Sequence, residues 1–174
     1  MKKVILLIIS AAWLFGCGYT TRGFMFEEER IVVAPVKNEL QIATGQRSYS
    51  EYTTYPILIE KELTNEMVRQ FNQDGHLTVV SRKENALLLN TRLLDYRKSA
   101  LRYTESDEVR EQRLRLVAQI TLLNSAGEEL QQQRIVGETT FFLSGPNSKS
   151  ESAARDELVT DTARRIVEAV VESW

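Results

Sequence analysis

Two sets of side chains in this sequence could carry chemistry: a single cysteine and a group of basic residues. Cys17 is the only cysteine of the chain, so its thiol has no intramolecular disulfide partner. Cationic side chains pair with phosphates, and arginine does so through two parallel hydrogen bonds. The alternative for such a group is a solvated strand edge that is guarded by charge. The basic residues fall in or just beyond one predicted strand, and they are Arg92, Arg97, Lys98 and Arg102.

The residues that precede Cys17 have the layout of a secretory signal. Lys2 and Lys3 form a short positive region, residues 4–15 form an apolar stretch, and small Gly16 lies directly before the cysteine. As a helix, the apolar stretch would be roughly 18 Å long, which is well short of the ~30 Å hydrocarbon core of a bilayer. We therefore do not expect it to be a permanent transmembrane anchor.

Residues 14–17, with the sequence Leu-Phe-Gly-Cys, resemble the lipobox of bacterial lipoproteins. In that motif the thiol forms a thioether to diacylglycerol, the chain is cut before the cysteine, and the new amino group is usually acylated. We therefore expect residues 1–16 to be a lipoprotein signal peptide, Cys17 to be the lipidated N-terminus and residues 17–30 to be a tether. Gly18 is not the aspartate that commonly retains lipoproteins in the inner membrane, so the product should sort outward. The alternative is that Cys17 is a buried or incidental thiol.

The mature chain has a modest charge and no catalytic signature. Residues 17–174 carry 20 basic side chains against 24 acidic ones, because Lys2 and Lys3 of the 22 basic residues lie in the signal, and the net charge is −4. The sequence contains no GxSxG, no HExxH, no glycine-rich phosphate loop and no zinc-ligand spacing. The single His76 follows Asp74-Gly75, which favours a solvated turn over a metal site. We expect no catalytic residue, no metal, no cofactor and no nucleic-acid partner.

The first predicted strand covers residues 31–36, which are β-branched and apolar on both faces, as in a strand buried within a sheet. A turn is expected at residues 35–38, where a proline and an asparagine occur. Residues 39–54 are polar and show no clear period, which indicates a long loop of the kind that often has a function.

An amphipathic helix is predicted after this loop. It should begin at Pro56, behind Thr53-Thr54 as possible caps, and close at Asp74-Gly75. Its apolar positions recur at a spacing of four residues, which places them on one helix face: Ile59, Leu63, Met67 and Phe71.

The second half predicts further strands and one more helix. Short strands are expected at residues 77–80 and 86–96, and a longer one at residues 113–123, where apolar residues such as Leu116 and Ile120 alternate with polar ones. A turn at residues 124–127 should form a hairpin with a last strand at residues 130–143.

The last helix should open with Ser148 to Glu151 at capping-box spacing. Its apolar stripe consists of Val159, Ala163, Ile166 and Val170.

These elements predict an α+β fold in which two helices pack on one face of a mixed, mostly antiparallel sheet of four to five strands. Two helices have a single sheet to bury against, so a two-layer sandwich is the economical architecture. The alternation places Leu116 and Ile120 on the buried face, where we expect them to pack near Phe71 and Ile166.

Several short motifs, in this order along the chain, resemble the LptE family of lipopolysaccharide-assembly lipoproteins. The resemblance covers essentially the whole mature chain and continues through the hairpin and the last helix to Trp174. One departure is Leu87, which occupies a position that is often acidic in the family. The matching segments are Cys17-Gly18-Tyr19 with Arg22-Gly23, residues 31–35 with Asn38, residues 63–67 with Phe71, and the strand from Ala86.

The resemblance implies a function as well as a fold. It implies that residues 31–174 form an α+β domain that plugs a large outer-membrane β-barrel, LptD, helps that barrel to assemble and contacts lipopolysaccharide. It also implies a non-enzymatic lipoprotein, lipid-anchored at the periplasmic face of the outer membrane. The phosphates of lipopolysaccharide are then the expected ligands of the basic residues, which are Arg92, Arg97, Lys98 and Arg102.

Two other functions stay open from the residues alone. A structural lipoprotein or pilotin would escort a secretion or pilus ring without binding lipopolysaccharide, and would present a large apolar groove in place of a basic strand end. A periplasmic hydrolase with an unrecognised site would show activity in a screen of the purified protein.

Overall fold

The computed structural model describes residues 29–40, 58–82 and 84–172. The predictions for the signal peptide, Cys17, most of the tether, the polar loop, the caps at Thr53-Thr54, the helix start at Pro56 and the terminal Trp174 lie outside these residues. The elements are β1 (Arg30–Val33), β2 (Lys37–Asn38), α1 (Ile59–Asp74), β3 (Thr78–Val79), β4 (Leu87–Tyr103), β5 (Val109–Leu123), β6 (Glu129–Phe142) and α2 (Glu151–Val171).

The strands form one mixed sheet in the order β3-β1-β4-β5-β6, with β2 beside β4. The pairings of β1 with β3, of β1 with β4 and of β2 with β4 are parallel and short. The β4–β5 and β5–β6 pairings are antiparallel and long, so most of the ladder is antiparallel. The described chain therefore has six strands, against the four to five expected, because Lys37 and Asn38 pair with β4 where a turn was expected.

The prediction of one strand over residues 31–36, followed by a turn, is wrong in detail. β1 ends at Val33, and the chain stays extended past Pro35, so that Lys37 and Asn38 pair with β4. Proline has no N–H to donate and interrupts the ladder, but its fixed φ is compatible with an extended chain. The next backbone amide, of Val36, donates to Thr64 Oγ1 of α1 at 3.0 Å, which fixes this segment on the helix.

β4 is longer than predicted. The apolar alternation of the sequence fades after Tyr96, but pairing with β5 carries the strand to Tyr103. The register shifts between Leu93 and Asp95, which marks a bulge in the strand. Consequently three of the four basic candidates, Arg97, Lys98 and Arg102, lie within the strand and not beyond its end.

α1 confirms the predicted helix in the part that the structure describes. All four predicted apolar residues of its stripe are fully buried. Gly75 ends the helix with a φ of 77°, a left-handed conformation that glycine adopts without strain, and its N–H donates to the Phe71 carbonyl at 3.0 Å. His76, one residue later, is exposed and contacts the Asp74 carboxylate, as expected for a solvated turn.

α2 begins two residues later than a capping box at Ser148 would require. Its N-cap is Ser150, whose Oγ accepts a hydrogen bond from the Ala153 N–H at 3.1 Å. Glu151 is therefore the first residue of the helix and not its third. The four predicted stripe residues are buried, and Ala154 and Leu158 extend the buried stripe toward the N-terminus of the helix.

Both helices contact each other and cover the same face of the sheet. Leu116, Ile120, Phe71 and Ile166 are all fully buried in one core cluster, which confirms the predicted buried face. The α+β, two-helix architecture with a mixed sheet is thus the observed one.

Candidate functional site on the open face of the sheet

The antiparallel register divides the side chains of β4, β5 and β6 between two faces. Residues that pair across the strands share a face. Thr91 and Ile120 therefore lie together on the face that the helices cover, as do the alternate residues on either side of them. Residues that pair with Arg115, namely Arg97 and Glu138, lie on the opposite face, which we call the open face. The arginines of the open face on these three strands are Arg92, Arg97, Arg102, Arg113, Arg115 and Arg134.

The four predicted basic residues do not form one cluster. Arg92 and Arg97 point to the open face, and Arg102 lies toward the far end of the same strand. Lys98 pairs in register with buried Leu114 and therefore points to the helix-covered side. Its ammonium group contacts the Glu151 carboxylate in the first turn of α2.

Each of the four cations has a carboxylate partner. Arg92 contacts Glu39 at 3.2 Å, and Arg97 contacts the Asp95 carboxylate in its own strand at 2.8 Å. The guanidinium of Arg102 lies 3.0 Å from Glu111, a carboxylate that is itself largely buried. A phosphate group would therefore compete with these carboxylates and would not fill a vacant cluster of positive charge.

Arg115 was not among the basic residues selected from the sequence. It lies directly opposite Arg97 on the open face, so two like charges face each other across β4 and β5. Such a pair is unfavourable alone, but Asp95 contacts Arg97, and Glu138 contacts Arg115 at 3.4 Å. Alternation already assigned Arg115 to the wet face of its strand; only the register between strands could bring it next to Arg97.

The helix-covered side beside Lys98 carries a buried tyrosine. Burial, with a further contribution from the negative charge of Glu151, raises the pKa of the Tyr96 hydroxyl to about 12, although Arg155 opposes the shift. Tyr96 therefore stays protonated and neutral at physiological pH. Its hydroxyl therefore offers no ionised group for catalysis.

No group of three or more potential metal ligands occurs within residues 29–40, 58–82 and 84–172. In the same part of the chain, neither helix is both long and apolar enough to cross a bilayer.

The family model for LptE, described as lipopolysaccharide-assembly, matches residues 38–172, which is most of the sequence. The chain belongs to the LptE family. This family consists of non-enzymatic lipoproteins that are associated with the outer membrane and with lipopolysaccharide assembly. No curated protein sequence gives a significant match to the chain.

Solved structures resemble this LptE-family chain in fold at low sequence identity. A hypothetical protein from Chlamydia trachomatis has 12% identity and a TM-score of 0.53, and the match covers 84% of this chain and 97% of that one. A minor lipoprotein from Acinetobacter baumannii has 16% identity and a TM-score of 0.51, with coverage of 83% and 92%. Rare lipoprotein B from Shewanella oneidensis has 15% identity and a TM-score of 0.47, with coverage of 82% and 95%.

Proposed function

We propose that this protein is an outer-membrane lipoprotein that plugs an LptD-type β-barrel, helps the barrel to assemble and assists lipopolysaccharide transport to the cell surface. The observation that carries the proposal is the polar, arginine-rich open face of a sheet in a chain of the LptE family. The interior of a large outer-membrane barrel is polar. A domain inside it must therefore cover its core on one side and present hydrogen-bonding side chains on the other.

The anchoring part of the proposal concerns Cys17. Cleavage of residues 1–16 would leave Cys17 as a lipidated N-terminus, joined through residues 17–30 to the domain of residues 31–174. Each buried methylene of an acyl chain contributes ~0.8 kcal/mol, and stable anchoring takes two membrane signals. A triacylated cysteine meets that requirement and would hold the domain at the periplasmic face of the outer membrane.

The lipopolysaccharide contacts in the proposal are those of the basic candidates. The ion pairs of Arg92 and Arg97 are exposed or half-exposed on both sides. Exposed ion pairs contribute only about 0–1 kcal/mol, so a phosphate can replace the carboxylate partner of these two arginines at low cost. The side chain of Arg102 is 71% exposed but that of Glu111 only 11%, so a phosphate would bind Arg102 without displacing this carboxylate. The proposed phosphate-binding residues are Arg92, Arg97, Lys98 and Arg102.

Depletion of the protein from cells tests the proposed function as a whole. We expect depleted cells to accumulate misassembled barrel and to lose lipopolysaccharide from the surface, and a wild-type copy to restore both. Mass spectrometry of the mature protein should find a lipidated Cys17 at the N-terminus; an unmodified thiol there would reject the anchor. Normal barrel assembly after depletion would reject the plug and would favour a pilotin.

A set of charge-neutralising variants tests the phosphate contacts separately. The variant R92Q/R97Q/R102Q and the single variant K98Q divide the candidates by the face on which they lie, and together they form a quadruple variant. We expect the quadruple variant to bind purified lipopolysaccharide more weakly and still to form the barrel complex. R164Q, which removes an exposed arginine of α2, is the matched control. Wild-type binding by the quadruple variant would remove these cations from the mechanism.

A further inference from the structure

β6 forms one edge of the sheet, and alternate residues of its backbone point away from β5. Leu143, directly after the strand, donates its N–H to the Arg110 carbonyl of the neighbouring segment at 3.0 Å. Glu138 instead directs its N–H outward, to the Asp161 carboxylate of α2 at 3.1 Å. In an antiparallel ladder these orientations alternate from one residue to the next. The N–H and carbonyl groups of the even-numbered residues of β6 therefore point outward, away from β5.

Three consecutive outward-facing residues have no backbone partner within the part of the chain that the structure describes. They lie between a register shift at the start of β6, where Gln131 pairs with Leu122, and the contact of Asp161 with Glu138. Each presents one N–H and one carbonyl, so this stretch offers the hydrogen-bonding pattern of an incomplete sheet. We call it the β6 edge; its residues are Gln132, Arg134 and Val136.

The β6 edge lacks the usual protection of an edge strand. The opposite edge of the sheet is β3, which has only two residues and offers little length for pairing. β6 has 14 residues, without a proline or a lysine. Its exposed Arg134 makes no ion pair within residues 29–40, 58–82 and 84–172. A long, accessible edge with unpaired N–H and carbonyl groups is suited to pairing with another strand, and the charge of Arg134 restricts that strand to one without an opposing positive charge.

The neighbouring helix α2 and the charge of Arg134 limit which kind of strand can pair there. α2 runs along β6, with Thr139 donating to Glu157 at 3.2 Å and Gln131 donating to the Ala169 carbonyl at 3.2 Å. A second copy that paired all three residues antiparallel with the same edge would place its Arg134 directly opposite this Arg134. Like charges at directly opposite positions are destabilising. The edge is therefore better suited to a strand of a different protein than to its own copy.

We propose that the β6 edge binds an extended segment of a partner protein as an added antiparallel strand. Backbone hydrogen bonds to Gln132, Arg134 and Val136 would supply the affinity. On the open face, a carboxylate opposite Arg134 and an apolar residue opposite Val136 would supply the selectivity. The proposal is independent of the barrel and of lipopolysaccharide binding.

Two blocked nine-residue peptides can serve as probes, one alternating threonine and valine around a central glutamate, the other with lysine in place of the glutamate. Amide hydrogen exchange of the full-length protein in detergent reports on the three edge N–H groups. We expect the glutamate peptide to slow their exchange roughly tenfold or more at saturation, which corresponds to about 1.4 kcal/mol. The lysine peptide should bind more weakly, because its charge repels Arg134.

Variants at Arg134 separate the backbone from the side chain. R134P removes an outward N–H without touching the ladder to β5, so it should abolish peptide binding while the protein stays folded. R134A retains the N–H and should bind both peptides equally. R134E leaves the backbone intact and should reverse the preference toward the lysine peptide, which keeps the test valid if R134P unfolds.

Three results would overturn the proposal. The first is unchanged exchange of the edge amides with either peptide. The second is peptide protection that survives in folded R134P. The third is slow exchange of these amides before any peptide is added. Slow exchange that is independent of protein concentration would mean that another part of the chain covers the edge. Slow exchange that depends on protein concentration would mean that a second copy covers it.

Discussion

The two faces of the same three strands differ in almost every property. On the covered face, residues of β5 such as Leu114, Leu116 and Ala118 are fully buried under the two helices. On the open face, their immediate neighbours Arg113 and Arg115 carry charge into solvent. Adjacent residues of a strand point to opposite faces, so a residue that stabilises the domain lies next in the chain to one that is available for recognition. Mutations one position apart should therefore have effects of different size and kind.

Two residues are exceptions to this separation of buried and exposed side chains, because of what lies over or beside them. Val117 points to the open face yet is only 3% exposed, and it pairs in register with Val136. Lys98 points to the covered side, but it lies at the end of the helix layer, where it reaches Glu151. Burial is therefore set by what lies over a position as well as by the face.

The largest difference should appear between Leu116 and Arg115. Leu116→Ala leaves a cavity under the helices and should lower the free energy of unfolding by about 2–5 kcal/mol. Arg115→Ala removes an exposed side chain and should change it by no more than about 0.5 kcal/mol. Urea unfolding of both purified variants measures the difference, and equal losses would mean that the faces are assigned wrongly.

Gly137 tests how closely the helix layer approaches the sheet. A Cβ at this position would lie 1.9 Å from Thr162 Oγ1 and 3.0 Å from the Thr162 Cα, so α2 would have to move. We expect Gly137→Ala to lower the free energy of unfolding by about 1–3 kcal/mol, as overpacked sites do.

Two further variants check the cause of the Gly137 effect. Thr162→Ala removes the nearest clashing atom, so the double variant should recover part of the loss. Glu138→Ala, on the open face, is the control and should have little effect. A double variant no more stable than the additive sum of its single changes would contradict the proposed clash.

Val117 provides the intermediate case. Its side chain is buried on the face opposite α1 and α2, and Val117→Ala removes its two methyl groups, a loss of two buried carbons. At ~0.8 kcal/mol per buried carbon, the loss should be about 1.5 kcal/mol, between the values for Leu116 and Arg115. Thermal unfolding of the three variants side by side gives the order. A loss as small as that of Arg115→Ala would mean that Val117 is solvated in solution.

Asp161 gives the smallest expected effect, and one that depends on pH. Burial alone would raise the pKa of its carboxyl, but the hydrogen bonds from the Glu138 N–H, Arg164 and Arg165 outweigh burial and hold the pKa below its usual value. A lowered folded-state pKa stabilises the fold above the unfolded-state pKa, and this stabilisation is lost as the pH falls through the folded-state value. Asp161→Asn should therefore cost about 1 kcal/mol at pH 7.

The pH series identifies the origin of the Asp161 effect. The difference in stability between wild type and Asp161→Asn should be constant at neutral pH and shrink below about pH 4, where the unfolded carboxyl binds its proton. Asp156→Asn, an exposed carboxylate on the same helix, is the control. A difference that does not change down to pH 2 would assign the effect to packing and not to charge.

Several structural features were predictable because they depend on residues near one another in the chain. The spacing of Leu63, Met67 and Phe71 predicted α1 and its buried face, and Gly75 marked its end. The alternation around Leu116 likewise separated the two faces of β5. The start of α2 was misread because Ser148 has the capping-box spacing to Glu151 and Ser150 has only Ala153 at that position, yet the observed cap hydrogen bond is made by Ser150.

The candidate site was less predictable than the fold. The sequence grouped Arg97 and Lys98 as neighbours, but a strand sends adjacent side chains to opposite faces, and the length of β4 was not visible beyond Tyr96. Arg115 could be placed beside Arg97 only by the pairing of two strands. The phosphate-binding role of the basic residues stays a prediction.

By itself, the sequence determined the class of the fold, the buried stripe of each helix and the two faces of β5, because hydrophobic periodicity is a local property that burial must respect. Tertiary structure alone decided the register that opposes Arg97 to Arg115 and the contact of Lys98 with Glu151. It also decided which backbone groups of β6 have no partner among the described residues. These features join residues far apart in the chain, and their positions follow from the packing of whole elements, which no short window of sequence contains.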